Sequence, residues 1–140
     1  MKRVTGIGGI FFKARDPQQT MAWYRKHLGI PTGSDEETHA MFEWREANDP
    51  QCLGSTVWAL FPQDTRYFDP STSPFMVNYR VADLDALLAQ LRAEGVEVDE
   101  RVEAYEYGRF GWITDPEGNR IELWEPSTAT AGQPSVTDVE

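Results

Sequence analysis

The sequence predicts an α+β fold in which one unit, a strand, a helix and then a run of strands, is used twice. Three observations carry this. Two helix starts sit in matching surroundings, "FKARDP" before one and "YRVADL" before the other, with Asp16 answering Asp83. "VWALFP" (57–62) and "IELWEP" (121–126) match when their prolines are placed together. Most of the remaining chain alternates with the period of two that marks strands. Internal duplication of this kind predicts two βαβββ modules in a mixed, mainly antiparallel sheet. We place module one at residues 1–70 and module two at 71–126, as one domain, followed by a flexible polar tail at 127–140.

The elements follow in order. "VTGIGGIFFKA" (4–14) reads as a strand with Gly8 and Gly9 as close-approach points. In "RDPQQTMAWYRKHLG", Asp16 caps a helix, Pro17 suits its first position, Gln19 completes a capping box and Gly29 ends it. Met21, Tyr24 and Leu28 form its expected buried stripe. "HAMFEWRE" (39–46) and "STVWALF" (55–61) are strand candidates separated by a polar loop that holds Asp49-Pro50. In the second unit, "PFMVNYRVA" (74–82) alternates as a strand. Asp83 caps a helix whose Leu84, Leu87, Leu88 and Leu91 share one face, and Gly95 stops it. "VEVDERV", "RFGWIT" and "RIELWE" are the closing strands, with a tight turn at Asp115–Asn119.

Composition excludes several functions. A 140-residue chain is long enough to bury a core as one domain. Its net charge of −10, with no Lys/Arg cluster beyond one helical turn at Arg25-Lys26-His27, speaks against nucleic acid as a partner. The apolar run after Lys2 and Arg3 is short and broken by glycine, so neither a signal peptide nor a membrane span is expected. Cys52 is the sole cysteine, in "NDPQCLG", which rules out an intrachain disulfide and suits a reducing, cytoplasmic setting.

The duplicated unit, the helix end "WYRKHLGI" and the closing "DPEGNRIELWEP" together resemble the vicinal oxygen chelate superfamily over about residues 4 to 126. That superfamily includes glyoxalase I, extradiol dioxygenases and the bleomycin- and fosfomycin-resistance proteins. The resemblance implies a cup-shaped sheet with both helices on its convex side. In metal-dependent members it also implies a divalent metal at the base of the cup, held by residues on the first and last strands of each module. Counting back from Asp16 puts Gly9 at the first such position. The proline match gives Trp58, counting back from Asp83 gives Met76 with Val77 beside it, and the last position is Glu122. Only Glu122 is a competent donor, and one carboxylate does not hold a catalytic metal. No cofactor is therefore expected, and Glu122 is read as a ligand position in a cup without its metal. His27 at a helix end and His39 at a strand start do not rescue the set.

Alternation then predicts the lining of the cup. Ile121 and Leu123 pack under a helix, leaving Arg120, Glu122 and Trp124 on the concave face. Trp58 and Leu60, with Met76, Asn78 and Arg80, join them, and Phe11 and Lys13 come from the first strand. Such aromatic walls with a few polar groups describe a small-molecule site. Each residue also has a plainer reading, as core, dimer interface or ion pair. Two functions follow. One is a binding protein of the bleomycin-resistance kind, holding a small, partly aromatic molecule without metal and oriented by Glu122 with Arg80 or Arg120. The other is an enzyme, a lyase, isomerase or dioxygenase, with Glu122 as metal ligand or as a general base whose pKa burial raises. The loop at Tyr105, Tyr107 and Arg109 either closes over the ligand or is a plain strand. A homodimer is expected because an open cup leaves strand edges to cover.

Overall fold

The computed structural model describes residues 3–127. The tail assigned to 127–140 lies outside them, apart from Ser127. The elements are β1 (Val4–Ala14), α1 (Pro17–Leu28), β2 (His39–Glu46), β3 (Asp49–Pro62), β4 (Phe75–Val81), α2 (Leu84–Ala93), β5 (Glu97–Tyr105), β6 (Gly108–Thr114) and β7 (Arg120–Pro126). All seven strands form one sheet in the order β2-β3-β1-β4-β7-β6-β5. Within each module the opening and closing strands pair in parallel, β1 with β3 and β4 with β7. The modules meet at the sheet centre, where β1 and β4 run antiparallel. The sheet is therefore mixed, as the sequence predicts, with three strands from module one and four from module two.

Both helices begin for the reason read from the sequence. Asp16 accepts the amide of Gln19 and Asp83 accepts that of Ala86, each at 3.1 Å, which satisfies an amide that helix geometry leaves unpaired. Gly29 ends α1 at φ 65, a left-handed conformation that costs glycine nothing. The stripe of α1 is narrower than predicted. Met21 is fully buried and Tyr24 half-buried, but Leu28, the last residue of the helix, is 63% exposed. The α2 leucines are all buried, and with Val81 and Leu123 they form the apolar layer on the convex side. Asp49 and Pro50 are not in a loop. The β2–β3 turn is only Ala47-Asn48, and Asp49 already pairs with Glu46.

The closing hairpin is built as its residues require. Asp115 accepts the amides of Glu117 (2.8 Å) and Asn119 (2.9 Å), and its own amide returns to the Asn119 carbonyl. At the other end of β6, Gly108 holds φ 139, and a side chain there would collide with the carbonyl oxygen of Glu125. Gly108→Ala should therefore destabilise the fold by about 2 kcal/mol or more, from strained backbone plus displacement of β7. The measurement is a urea titration, which should show a lower midpoint with an unchanged slope.

Candidate ligand site

The concave face of the sheet is filled by side chains. Phe11, Val57, Ala59, Phe61, Met76, Phe110, Trp112 and Trp124 form one buried cluster on it. The cluster is capped by Phe68, from the linker that joins β3 to β4 and fully buried. Tyr67 precedes it, with its ring stacked parallel on Phe61 at 5.8 Å. Turns inside the linker hold the two aromatics down, with the amides of Asp69 and Ser71 bonded to the carbonyls of Arg66 and Phe68.

Glu122 sits in the middle of this face with no exposed surface. It occupies β7 opposite Asn78 of β4 and Trp112 of β6, so register alone brings those two side chains to it. Asn78 Nδ2 donates to Oε1 at 2.6 Å and Trp112 Nε1 donates to Oε2 at 3.0 Å. Tyr67 donates its phenolic proton to Oε2 from above. Burial pushes the Glu122 pKa up, and the bonds from Tyr67, Asn78 and Trp112, with the more distant charge of Arg120, only partly offset this. Burial likewise raises the Tyr67 phenol, and the neighbouring carboxylate adds to it. Tyr67 is therefore held as a donor. The guanidinium groups of Arg101 and Arg120 each lie 5.3 Å from the Trp112 ring, where positive charge polarises the indole N–H towards Glu122.

Two of the three partners can also serve a protonated Glu122. A hydroxyl accepts as well as donates, so Tyr67 can reverse its bond. Asn78 Oδ1 is buried without a partner and faces Gly8, so a half-turn of that amide would present an acceptor to Oε1. Trp112 can only donate.

The structure brings together Phe11, Met76, Asn78, Glu122 and Trp124, all placed on the concave face by alternation. It moves Trp58 away. Trp58 packs on the convex side against Phe12 and Tyr24, with ring centroids at 5.1 and 4.7 Å, and Leu60 faces the same way. The proline match misplaced them by one residue. Phe11 and Asn78 stand equally far before their capping aspartates; Phe11 pairs with Ala59 and Asn78 with Glu122. Ala59, not Trp58, is thus the counterpart of Glu122. Arg120 is on the expected face but bonds Asp99 at 3.1 Å. Arg80 lies between Trp44 and Trp124, 5.5 and 4.9 Å from their rings. No hydrogen bond joins either arginine to Glu122. Arg109 turns outward to a bidentate pair with Asp85 at 2.8 and 2.9 Å, and only Glu106-Tyr107 forms the β5–β6 turn, so this segment is a plain hairpin. Tyr67, Phe68 and Trp112 were missed. The available signal for the first two was a pair of adjacent aromatics inside a long polar linker, where loops of that length are usually functional.

The Glyoxalase/Bleomycin resistance protein/Dioxygenase superfamily profile matches residues 6–123, and the chain belongs to that superfamily. Methylmalonyl-CoA epimerase from Mycobacterium tuberculosis is similar over 94% of this chain and 94% of its own, at 23% identity and a TM-score of 0.57. A variant of the Streptomyces coelicolor methylmalonyl-CoA epimerase, solved in complex with 2-nitronate-propionyl-CoA, covers 94% of this chain and 99% of its own, at 20% identity and a TM-score of 0.63. A superfamily member from Vibrio splendidus covers 85% and 97%, at 11% identity and a TM-score of 0.53. At these identities the likeness is one of fold. By sequence, the chain matches no curated protein.

The Glu122 cluster predicts a pH signature. With its folded pKa raised, Glu122 holds a proton in the folded state that the unfolded chain has already released. Its contribution to stability is present below the ordinary carboxylate range and is lost as pH rises through the raised value. Glu122→Gln mimics the protonated acid and should fold with that slope removed, whereas Glu122→Ala strands three buried donors and should cost about 3 kcal/mol or more. Denaturant titrations of the three proteins from acid to neutral pH check this.

Proposed function

We propose that the protein binds a small, partly aromatic organic molecule on the concave face, without a metal, by displacing the Tyr67-Phe68 plug. One observation carries this: Glu122, a carboxyl with no exposed surface in an aromatic cup, is covered by a linker rather than by the sheet itself. The metal-free half is supported by the residues at the other family positions. Gly9, Ala59 and Met76 offer no oxygen or imidazole donor, and among the described residues no group of three or more His, Cys, Asp or Glu comes together. That set does not fit a divalent cation. Asn78 and Trp112 would hold Glu122 in place while a donor on the ligand takes the position of the Tyr67 hydroxyl. Arg80, Arg120 and Trp124 line the same face.

Ligand binding should quench tryptophan fluorescence and survive chelator. Glu122→Gln should weaken it about tenfold by replacing a charge-assisted bond with a neutral one. Phe68→Ala should tighten it, because a less stable plug raises the fraction of open protein. Binding lost to chelator and restored by Mn²⁺ or Fe²⁺ would replace this reading with a metalloenzyme.

A second reading, acid/base catalysis by Glu122 as in a lyase or isomerase, is favoured by its burial-raised pKa, which suits a general base. It requires turnover that Glu122→Gln abolishes while binding persists.

We also propose a homodimer. Ile7, Ile10 and Phe75 are 39–41% exposed on the convex side of the central strands β1 and β4, while α1 packs on β1 and β3 and α2 on β5, β6 and β7. No helix is long and apolar enough to cross a membrane among the described residues, and a cytoplasmic setting is part of this proposal on the strength of the single free cysteine. Light scattering should give about twice 15.9 kDa, and Ile10→Glu should return the protein to monomer.

A further inference from the structure

A cavity of about 590 Å³, apart from the filled cup, opens where the ends of β1 and β3 meet the first turns of α1 and the linker. Its lining is unusual for this chain. The protein carries a net charge of −10, yet the cavity wall includes Lys13 and Arg15 and no carboxylate. Elsewhere arginines find acidic partners, as Arg3 does with Glu94, Arg66 with Asp69 and Arg109 with Asp85. Lys13 and Arg15 have no such ion pair among the described residues, and the Lys13 ammonium lies 5.5 Å from the centre of the Phe68 ring. Asp16, next in the chain, is turned to cap α1. Thr20 and Thr72 also line the cavity, and their hydroxyls make no hydrogen bond among the described residues. The opposite wall is apolar and firm, with Phe12 and Tyr24 both packed edge-on against Trp58 and Leu60 buried beside them.

We infer that this cavity is a second binding site, for an organic anion. A carboxylate or phosphate head would sit between Lys13 and Arg15 and accept from the Thr20 and Thr72 hydroxyls. A flat apolar body would lie against Phe12 and Tyr24. Paired cations give the attraction, and the aromatic wall selects an organic anion over a simple inorganic one. None of these groups belongs to the Glu122 cluster, so the inference stands whether or not the cup binds a ligand.

The test is a titration of the full ¹⁵N-labelled chain with benzoate, phenyl phosphate, inorganic phosphate and neutral benzyl alcohol, followed by amide shifts. At least one of the two organic anions should shift Ala14, Thr20 and Thr72 saturably, and which one responds distinguishes a carboxylate from a phosphate site. Benzyl alcohol and inorganic phosphate should bind at least tenfold more weakly than that anion. Lys13→Met and Arg15→Met should each weaken it about tenfold, while Glu122→Gln should leave it unchanged, which separates this site from the cup. The inference is overturned if neither organic anion gives saturable shifts at millimolar concentration, if the Met variants bind as the parent does, or if either control binds equally well. It is also overturned if the shifts fall on the Trp112 and Trp124 indoles instead.

Discussion

A carboxyl group with no exposed surface, set among tryptophan and phenylalanine rings, is the constraint on which this structure turns. Such a group is tolerated only if its oxygens are fully engaged. The three donors to Glu122 come from three separate places in the chain: Asn78 on β4, Trp112 on β6 and Tyr67 on the linker. A one-residue slip of β7 against either neighbour would turn Glu122 into the apolar layer under α2 and bring Leu123 to the donors. The buried carboxyl thus fixes the register of the second module, and through Tyr67 it also fixes where the linker lies. Gly8 belongs to the same constraint, because β1 bulges between Ile7 and Gly9 and only a residue without a side chain clears Asn78 there.

Most of the fold was legible because it is written in local chemistry. Asp16 and Asp83 cap helices, Asp115 closes a hairpin, and the α2 leucines recur at helical spacing. Each of these depends on residues within a few positions of one another. What could not be read depended on pairing between distant strands. The two "xxxxFP/xxxxEP" endings look equivalent, but β3 meets β1 one residue out of step with the way β7 meets β4, so Trp58 faces α1 and Ala59 faces the cup. Arg120 was placed on the correct face, yet its partner Asp99 lies on β5, two strands away, and nothing local announces that bond. The linker was the largest omission. "QDTRYFDPSTSP" is polar enough to pass for a surface loop, and only the sheet it folds over shows that Tyr67 and Phe68 point inward.

The plug has an energetic consequence. Releasing Phe68 exposes a fully buried aromatic side chain, which costs about 2–3 kcal/mol. Freeing Tyr67 gives up a hydrogen bond to a buried carboxyl, about 1.5–3 kcal/mol if that group is charged. Protonation of Glu122 lowers the second cost, since a neutral acid can be satisfied by Asn78 on Oε1 and Trp112 on Oε2. Opening of the cup is therefore coupled to the charge of Glu122. A ligand must supply at least what the plug supplies, and the open form gains population where the carboxyl is neutral.

The plug also describes what would replace it. In the closed form the cup holds a phenyl ring, from Phe68, and a hydroxyl on an adjacent aromatic ring that donates to Glu122, from Tyr67. Any occupant that displaces them has to fill the same apolar volume and satisfy the same oxygen, or the cavity and the unpaired acceptor would cost more than the contact returns. An aromatic body bearing an O–H or N–H donor meets both demands. A fully apolar molecule meets only the first, and a compact polar one only the second. Lys13, which lies over the Phe68 ring at one edge of the cup while lining the cation-bearing cavity beside α1, is where the two sites adjoin.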